Sequence, residues 1–222
     1  MTQHAILRSI TVNPSEKPTM KLLGSYRSPY VRRVAASLNL MDIAYEHDAV
    51  PVFDDPDAVK THNPLVRVPT LVLDDGEALV ESYAILDALD DMAGDNRLTP
   101  ASGADRRNVM KLTAVGTGTM DKTVWAVYEG RFHPKEKYHK PWVEHNEAQA
   151  VGGLGFLDEC AKAAGDNWLA GDSISQADVT AAVAFAFAKM ARPKLDVDAK
   201  FTALSALSAR CEAMDAFSSV TT

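Results

Sequence analysis

The stretch Pro69–Glu81, "PTLVLDDGEALVE", predicts a β-hairpin. Two runs of apolar and β-branched residues flank Asp74, Asp75 and Gly76, which are residues typical of a tight turn between paired strands. Directly after the hairpin, "SYAILDALDDMAG" places apolar residues three and four positions apart and ends at Gly94, which is typical of a helix with a C-terminal glycine cap. The sequence therefore predicts two adjacent strands followed by a helix.

Before the hairpin, the chain shows two strand–helix pairs. "MKLLG", starting at Met20, is a short apolar run, and Pro29 then opens a helical pattern with one apolar face. Ile43–Val50 alternates as a strand does, and "PDAVKTHN" is a short helix that Pro64 ends. Together with the hairpin and its helix, these elements give the order βαβαββα for an α/β domain over residues 20–95.

After the hairpin domain, the composition of the chain changes. "GDNRLTPASGADR" lacks an apolar period and is rich in Gly, Pro, Asp and Ser, so we expect a linker at residues 96–104. Residues 105–222 carry helical patterns throughout, and "SQADVTAAVAFAFAKMA" is apolar almost all round, as the central helix of a bundle is. We expect an all-helical second domain, and an N-terminal extension at residues 1–19.

The start of this central helix carries a capping-box pattern. Ser175 is placed to cap the helix, while Asp178, three residues later, can reach back to the Ser175 amide. Ile174 and Val179 flank the cap as a hydrophobic staple does. We expect these residues to stabilise the fold rather than to take part in chemistry.

Composition and charge exclude several classes of function. The formal net charge is -7 with a pI near 5.3, which disfavours a nucleic-acid or anionic-membrane surface because both depend on clustered Lys and Arg. No stretch approaches the roughly 20 apolar residues that a membrane-spanning helix needs. Cys160 and Cys211 lie far apart in helical patterns, which fits a reduced cytoplasmic protein. His133, His139 and His145 recur every six residues, so no metal site is expected.

Four local stretches resemble one known family. They are "SYRSPYVRRV" after the first strand, "NPLVRVPTLV" leading into the hairpin, "ESYAIL" opening the third helix and "GDSISQADVTAA" at the central helix. In this order, with the linker between them, they resemble the cytosolic glutathione transferases, in particular bacterial members of the serine type. The resemblance covers the chain from about Met20 to its end. It implies a thioredoxin-like N-terminal domain and an all-helical C-terminal domain.

The resemblance also implies a glutathione site. Val68, before a cis Pro69, would offer its amide and carbonyl to the cysteinyl part of glutathione, and the alternative is that Pro69 simply begins an edge strand. Ser82, as an N-cap, and the first-turn amides would hold the γ-glutamyl carboxylate, and Glu81 the ammonium group. Arg67 would meet the glycine carboxylate, or remain a solvated surface residue. Ser82 as a cap alone is the structural alternative.

Ser28 is the expected catalytic residue under this resemblance. "SPYV" stands where thioredoxin-like proteins carry a reactive cysteine, and a serine there can donate a hydrogen bond to the glutathione thiolate. Such a bond, at the positive end of the helix that Pro29 opens, lowers the thiol pKa from about 8.5 toward neutrality. Ser28 can also cap the helix, because a hydroxyl both donates and accepts. Tyr26 and Ser25 are the alternative activating hydroxyls.

The expected electrophile pocket lies in "WAVYEGRFHPKEKYHKPW", where Trp125, Tyr128 and Phe132 would form an apolar wall and Arg131 a charged one. The same residues could instead belong to a core. The resemblance implies a detoxifying glutathione transferase that acts on small hydrophobic electrophiles, with glutathione as co-substrate, no metal and a homodimeric assembly. A glutathione-dependent isomerase or peroxidase is the alternative on the same scaffold, and a non-catalytic binding protein is the third.

Overall fold

The computed structural model describes residues 20–221, and the predicted N-terminal extension at residues 1–19 lies outside this range. The first part of the chain forms the predicted order βαβαββα. The strands are β1 (Met20–Leu23), β2 (Tyr45–Asp48), β3 (Thr70–Val72) and β4 (Ala78–Val80). The helices are α1 (Pro29–Leu40), α2 (Asp57–Lys60) and α3 (Ser82–Met92).

The strands form one mixed sheet in the order β2-β1-β3-β4. β1 and β2 are parallel, with Met20 opposite Tyr45, whereas β1 and β3 are antiparallel, with Leu22 opposite Leu71. β3 and β4 are the predicted hairpin. This topology places the end of β1, the chain before β3 and the end of β4 at the same end of the sheet. The predicted site residues lie there.

The second part of the chain is helical. Its helices are α4 (Gly103–Phe132), α5 (Lys140–Ala164), α6 (Gln176–Ala191), α7 (Val197–Lys200), α8 (Thr202–Glu212) and α9 (Asp215–Ser218). α4 begins within the predicted linker, and the domain boundaries at 95 and 105 remain a proposal. The helix α6 is buried over most of its length and packs against α1, α4 and α8.

The predicted capping box at the start of α6 is confirmed. The Ser175 backbone amide donates to Asp178 Oδ2 at 2.9 Å, and the Ser175 hydroxyl donates to the same oxygen at 2.7 Å. Asp178 Oδ1 accepts a further bond from the Leu169 amide at 2.8 Å. Burial raises the pKa of the Asp178 carboxyl, although these donors act in the opposite direction.

One hydrophobic cluster joins the two parts of the chain. It contains Leu22, Val31, Leu71 and Leu89 from the sheet domain, and Val179, Val183, Cys211 and Phe217 from the helical domain. Cys211 is buried in this cluster, whereas Cys160 is half-buried. Because α1 lies between the sheet and α6, its position, and that of the predicted catalytic serine at its start, is fixed from both sides.

Candidate functional site

Ser28 is the N-cap residue of α1. Its backbone is extended, with φ −75° and ψ 122°, and its Oγ accepts a long hydrogen bond of 3.4 Å from the Val31 amide. Pro29 follows at the first helical position, as is typical there. Within residues 20–221, the Ser28 hydroxyl donates no hydrogen bond. Its hydrogen is therefore available at the positive end of the helix.

The two alternative hydroxyls have other contacts. Tyr26 stacks on the ring of His47, with ring centroids 3.8 Å apart, and its hydroxyl lies 3.3 Å from that of Tyr45. These contacts direct Tyr26 toward β2. Ser25 Oγ accepts from the Arg27 amide at 3.3 Å within the turn. Like Ser28, Ser25 donates no hydrogen bond within residues 20–221, so only the position at the positive end of α1 favours Ser28, and the choice among the three hydroxyls remains a prediction.

Gly24 brings the start of α1 against the chain that precedes β3. It has a φ of +121°, and a Cβ built there would lie 2.7 Å from both Val31 Cγ2 and Val68 Cβ. Only glycine leaves room for this approach. The first turn of α1 and Val68, which precedes the cis Val68–Pro69 bond, therefore lie side by side at the end of β1.

Val68 carries unpaired backbone groups. Within the described part of the chain, neither its amide nor its carbonyl forms a hydrogen bond. The neighbouring Arg67 carbonyl, by contrast, accepts bonds from Asn63 Nδ2 at 2.9 Å and from Thr70 Oγ1 at 3.0 Å. A free donor and a free acceptor just before β3 fit an extended peptide that pairs with Val68 in the manner of a strand.

The start of α3 differs by one residue from the prediction. Ser82 was expected as the N-cap, but Glu81 occupies that position, with a φ of 66° and a ψ of 123°. The reason is that the chain turns at Glu81, so the buried Ser82 is already the first helical residue. The Ile85 amide makes the first helical bond, to the Glu81 carbonyl at 3.0 Å. Within residues 20–221 the amides of residues 82–84 have no hydrogen-bond acceptor and are available to an anion.

Arg67 and Glu81 connect the two halves of this predicted site. Arg67 Nη1 lies 2.7 Å from Glu81 Oε1, and both side chains are exposed. The structure therefore brings together all five residues predicted to bind glutathione, in a strip from Val68 to the start of α3. Arg67 can pair with one carboxylate of glutathione, and Glu81 can pair with its ammonium group.

An aromatic cluster lies on α4 and the loop after β2. Tyr128 and Phe132 pack edge to face, with centroids 5.0 Å apart, and Phe53 from the loop after β2 lies 6.1 and 5.6 Å from them. The Arg131 guanidinium lies 4.2 Å from the centre of the Phe53 ring. Three of the four predicted pocket residues thus meet. Trp125 is 53% exposed and makes no ring contact within the described residues.

Phe53 was missed by the sequence prediction. It stands in "VFDDPD", a polar loop whose single aromatic residue is the only signal. Tyr30 and Asp121 were also missed: the Tyr30 hydroxyl on α1 donates to Asp121 Oδ1 on α4 across the domain interface. Burial, together with this bond, strongly raises the Tyr30 pKa. No sequence pattern links residues 91 positions apart.

Tyr128 lies where the glutathione strip and the aromatic cluster meet. Burial raises the pKa of its phenol, while Arg67 and Arg131 lower it through their positive charges. Arg67 belongs to the strip and Arg131 to the cluster, so both cations are close enough to act on one phenol. The predicted binding sites for the two substrates are therefore neighbours.

A small separate cavity lies between α1, α3 and α4. It is lined by Arg33, Tyr83, Leu86, Asp87, Asp90, Thr99, Met110, Thr113 and Gln176. About 20 Å³ is open to the centres of water-sized molecules, which is room for about one water. Arg33 is fully buried, and its Nε and the Thr113 hydroxyl oxygen have no partner among the described residues.

Membrane-spanning helices and metal-binding clusters are both absent from residues 20–221. None of the helices is both long and apolar enough to cross a membrane. No group of three or more His, Cys, Asp or Glu side chains in this range could hold a metal ion.

Two family models match the chain. Residues 22–97 match the glutathione S-transferase N-terminal domain, and residues 140–210 match the C-terminal domain of the same family. Together with the sheet order and the helical domain, these matches define the class of protein. The chain belongs to the glutathione S-transferase family.

Particular relatives give the same result. The GST-like protein YibF of Escherichia coli K12 is 32% identical over 110 residues, which are 50% of this chain and 54% of the relative. The maleylpyruvate isomerase of Ralstonia sp. is 35% identical over 100 residues, 43% and 46% of the two chains. The chain thus spans about half the length of these relatives. A solved glutathione S-transferase of Methylobacillus flagellatus KT, with glutathione bound, is 28% identical, with a TM-score of 0.85 and coverage of 91% and 99%.

Proposed function

We propose that this protein is a cytoplasmic, homodimeric glutathione transferase that joins the glutathione sulfur to small hydrophobic electrophiles. The observation that carries the proposal is the unpaired backbone of Val68 beside the capped start of α1. The solved relative from Methylobacillus flagellatus binds glutathione, which supports the same ligand here.

Glutathione would lie along the strip from Val68 to α3. Its cysteinyl backbone would pair with the Val68 amide and carbonyl. The γ-glutamyl carboxylate would accept from the free amides at the start of α3 and from Ser82, while its ammonium group would meet Glu81. Arg67 would bind the glycine carboxylate. The present Arg67–Glu81 ion pair would then exchange partners with the two ends of the ligand.

Ser28 would activate the sulfur. Its free hydroxyl hydrogen would donate to the thiolate at the N-terminus of α1, where the helix dipole also favours an anion. Both effects lower the thiol pKa, so a larger fraction of bound glutathione is ionised at pH 7. The thiolate would attack an electrophile held against Tyr128, Phe132 and Phe53. The leaving group departs with the bonding electron pair, and the thiol proton goes to solvent.

The test measures binding first and chemistry second. We expect retention on immobilised glutathione, and turnover of 1-chloro-2,4-dinitrobenzene with glutathione. Ser28→Ala should lower kcat/KM at least about tenfold and shift the pH profile upward, because the thiol pKa rises. Tyr26→Phe and Ser25→Ala are the matched controls and should stay within about threefold of the wild type.

Two results would contradict the proposal in different ways. Full activity of Ser28→Ala, with loss in either control, would move the activating role to that residue. Failure to bind glutathione at millimolar concentration, by retention and by thermal shift, would remove the basis for any glutathione-dependent reaction.

A second candidate is glutathione-dependent cis–trans isomerisation. The Ralstonia maleylpyruvate isomerase, at 35% identity over 100 residues, favours it. The same thiolate would add to a double bond and leave again after rotation. Turnover of a maleyl substrate without consumption of glutathione, in the same panel, would distinguish isomerase from transferase.

A further inference from the structure

Arg131, beside the aromatic cluster, has no carboxylate partner among the described residues. It lies in the last turn of α4, and its guanidinium faces the rings of Phe53, at 4.2 Å, and Phe132, at 5.7 Å. In residues 20–221 it forms no ion pair and donates no hydrogen bond. Arg67 differs, because Glu81 neutralises it. Arg131, Phe53 and Phe132 are all exposed, so the guanidinium is accessible to a ligand that lies on this aromatic surface.

The nearby carboxylates of α4 are bonded elsewhere. Asp121 accepts from the Tyr30 hydroxyl. Glu129 accepts from the His139 amide at 2.8 Å and lies 3.0 Å from His133 Nδ1. Asp54, next to Phe53 in the chain, is exposed and pairs with no cation in the described residues. These protein carboxylates therefore leave the guanidinium free for a ligand.

The guanidinium lies over the Phe53 ring, 4.2 Å from its centre. Arginine stacks on aromatic faces, and its planar fork then binds a carboxylate through two parallel hydrogen bonds. Arg131 lies three residues after Tyr128 on α4, and the Tyr128 ring packs edge to face on Phe132. A ligand that covers the aromatic cluster would bring its anionic end to Arg131.

We propose that Arg131 binds a carboxylate of the electrophile, so that this protein prefers aromatic electrophiles that carry a carboxylate over neutral ones. The inference rests on the transferase function proposed above and names its substrate class. Phe53 serves as the platform on which the guanidinium is held. The thiolate attacks the ring carbon that bears chlorine, the C–S bond forms, and the C–Cl bond breaks with chloride taking the electron pair. The carboxylate is unchanged.

The test compares two substrates that differ in charge. They are 4-chloro-3,5-dinitrobenzoate and 4-chloro-3,5-dinitrobenzamide, each measured relative to its uncatalysed reaction with glutathione. The wild type should accelerate the benzoate reaction more than the benzamide reaction. Arg131→Gln should lower kcat/KM for the benzoate about tenfold and for the benzamide less than about twofold, since hydrogen bonds to charged groups are the stronger ones. For the benzoate, the kcat/KM of Arg131→Lys should lie between that of the wild type and that of Arg131→Gln.

A matched control separates direct binding from a long-range charge effect. Arg107 lies on the same helix, is exposed, and is about 36 Å away at a rise of 1.5 Å per residue. Arg107→Gln removes the same charge and should leave the ratio of the two substrates unchanged. Thermal unfolding of each variant checks that the fold is intact.

The possible failures are distinguishable. Equal losses for both substrates in Arg131→Gln, or a wild type without preference for the benzoate, would overturn the assignment of Arg131 and leave the transferase standing. Absence of turnover of both substrates and of 1-chloro-2,4-dinitrobenzene would overturn the transferase function, and this inference with it.

Discussion

Arg33, on the buried face of α1, is a cation with little compensation. It is fully buried, and Nη1 donates to Thr117 Oγ1 at 2.7 Å. Burial lowers its pKa to about 10. A lowered pKa means that the charged form is less favourable in the folded than in the unfolded chain, by about 3 kcal/mol. This destabilisation is complete below pH 10 and disappears as the pH rises toward the unfolded value.

Arg33→Met should therefore raise the free energy of unfolding at pH 7, by about 1 to 3 kcal/mol. The Thr117 hydroxyl keeps its bond to the Thr113 carbonyl at 2.9 Å, so the substitution leaves Thr117 with a partner. Urea denaturation measures the change. The matched control is Arg32→Met, which removes a guanidinium held by both oxygens of Glu212 and should destabilise the protein. Equal destabilisation by both substitutions would contradict the argument.

At this scale, the sequence predicted the residues that lie in local motifs. Val68, Pro69 and the Glu81–Ser82 pair were predicted because short stretches of the sequence resemble the glutathione transferases, and the structure places these residues close together. Phe53 and the Tyr30–Asp121 contact could not be predicted, because they depend on how the two domains pack. The contacts that were not predicted join residues that lie far apart in the sequence.

Among the helices, α6 has the most completely bonded start. Asp178 accepts from the Leu169 amide and from both the amide and the hydroxyl of Ser175. The Gln176 amide donates to the Leu98 carbonyl at 2.9 Å. This bond connects the segment between α3 and α4 to the first turn of α6. Local hydrogen bonds thus fix where the central helix begins.

Asp178→Ala should lower the free energy of unfolding by about 2 to 4 kcal/mol, because the buried Ser175 amide and the half-buried Leu169 amide lose their acceptor. Ser175→Ala should cost about 1 kcal/mol, since the carboxylate still binds its own partners. Urea denaturation gives both values. Neither variant should change the KM for glutathione, because α6 lies outside the proposed site. Surface substitutions usually change the free energy of unfolding by less than about 0.5 kcal/mol. A change as small as this for Asp178→Ala would contradict the ranking.

Element types were predicted better than element ends. The predicted strand at residues 43–50 is observed only at Tyr45–Asp48, and the start of α3 is displaced by one residue. Hydrophobic periodicity marks the middle of an element, whereas hydrogen bonds decide its last residue. Where a capping box was present, at α6, the start was predicted correctly.

At the scale of the whole molecule, the C-terminal residues of the chain bind α1 of the sheet domain through hydrogen bonds. Arg32 Nε on α1 donates to the Val220 carbonyl at 3.0 Å, and Asn39 Nδ2 donates to the Ala216 carbonyl at 3.0 Å. Phe217, on α9, is fully buried in the core cluster that contains residues of both domains. Because α1 carries Ser28, these contacts connect the C-terminal residues to the proposed catalytic end of the sheet domain.

Since the core is shared, Phe217→Ala should destabilise both domains together, by about 3 to 5 kcal/mol. Trp125, Trp142 and Trp168 all lie in the helical domain, so tryptophan fluorescence reports on that domain alone. Hydrogen exchange of β1 and β3 peptides reports on the sheet. Both probes should shift by the same free energy, because neither domain can keep its core when the other unfolds.

The matched control for this prediction is Phe156→Ala, on α5. Phe156 is 43% exposed, so its truncation should cost less than about 1 kcal/mol. If Phe217→Ala lowered the fluorescence transition while hydrogen exchange in β1 and β3 stayed at the wild-type level, the sheet domain would be stable by itself. The shared cluster would then be an interface between two independent cores, and the position of Ser28 would not depend on the helical domain.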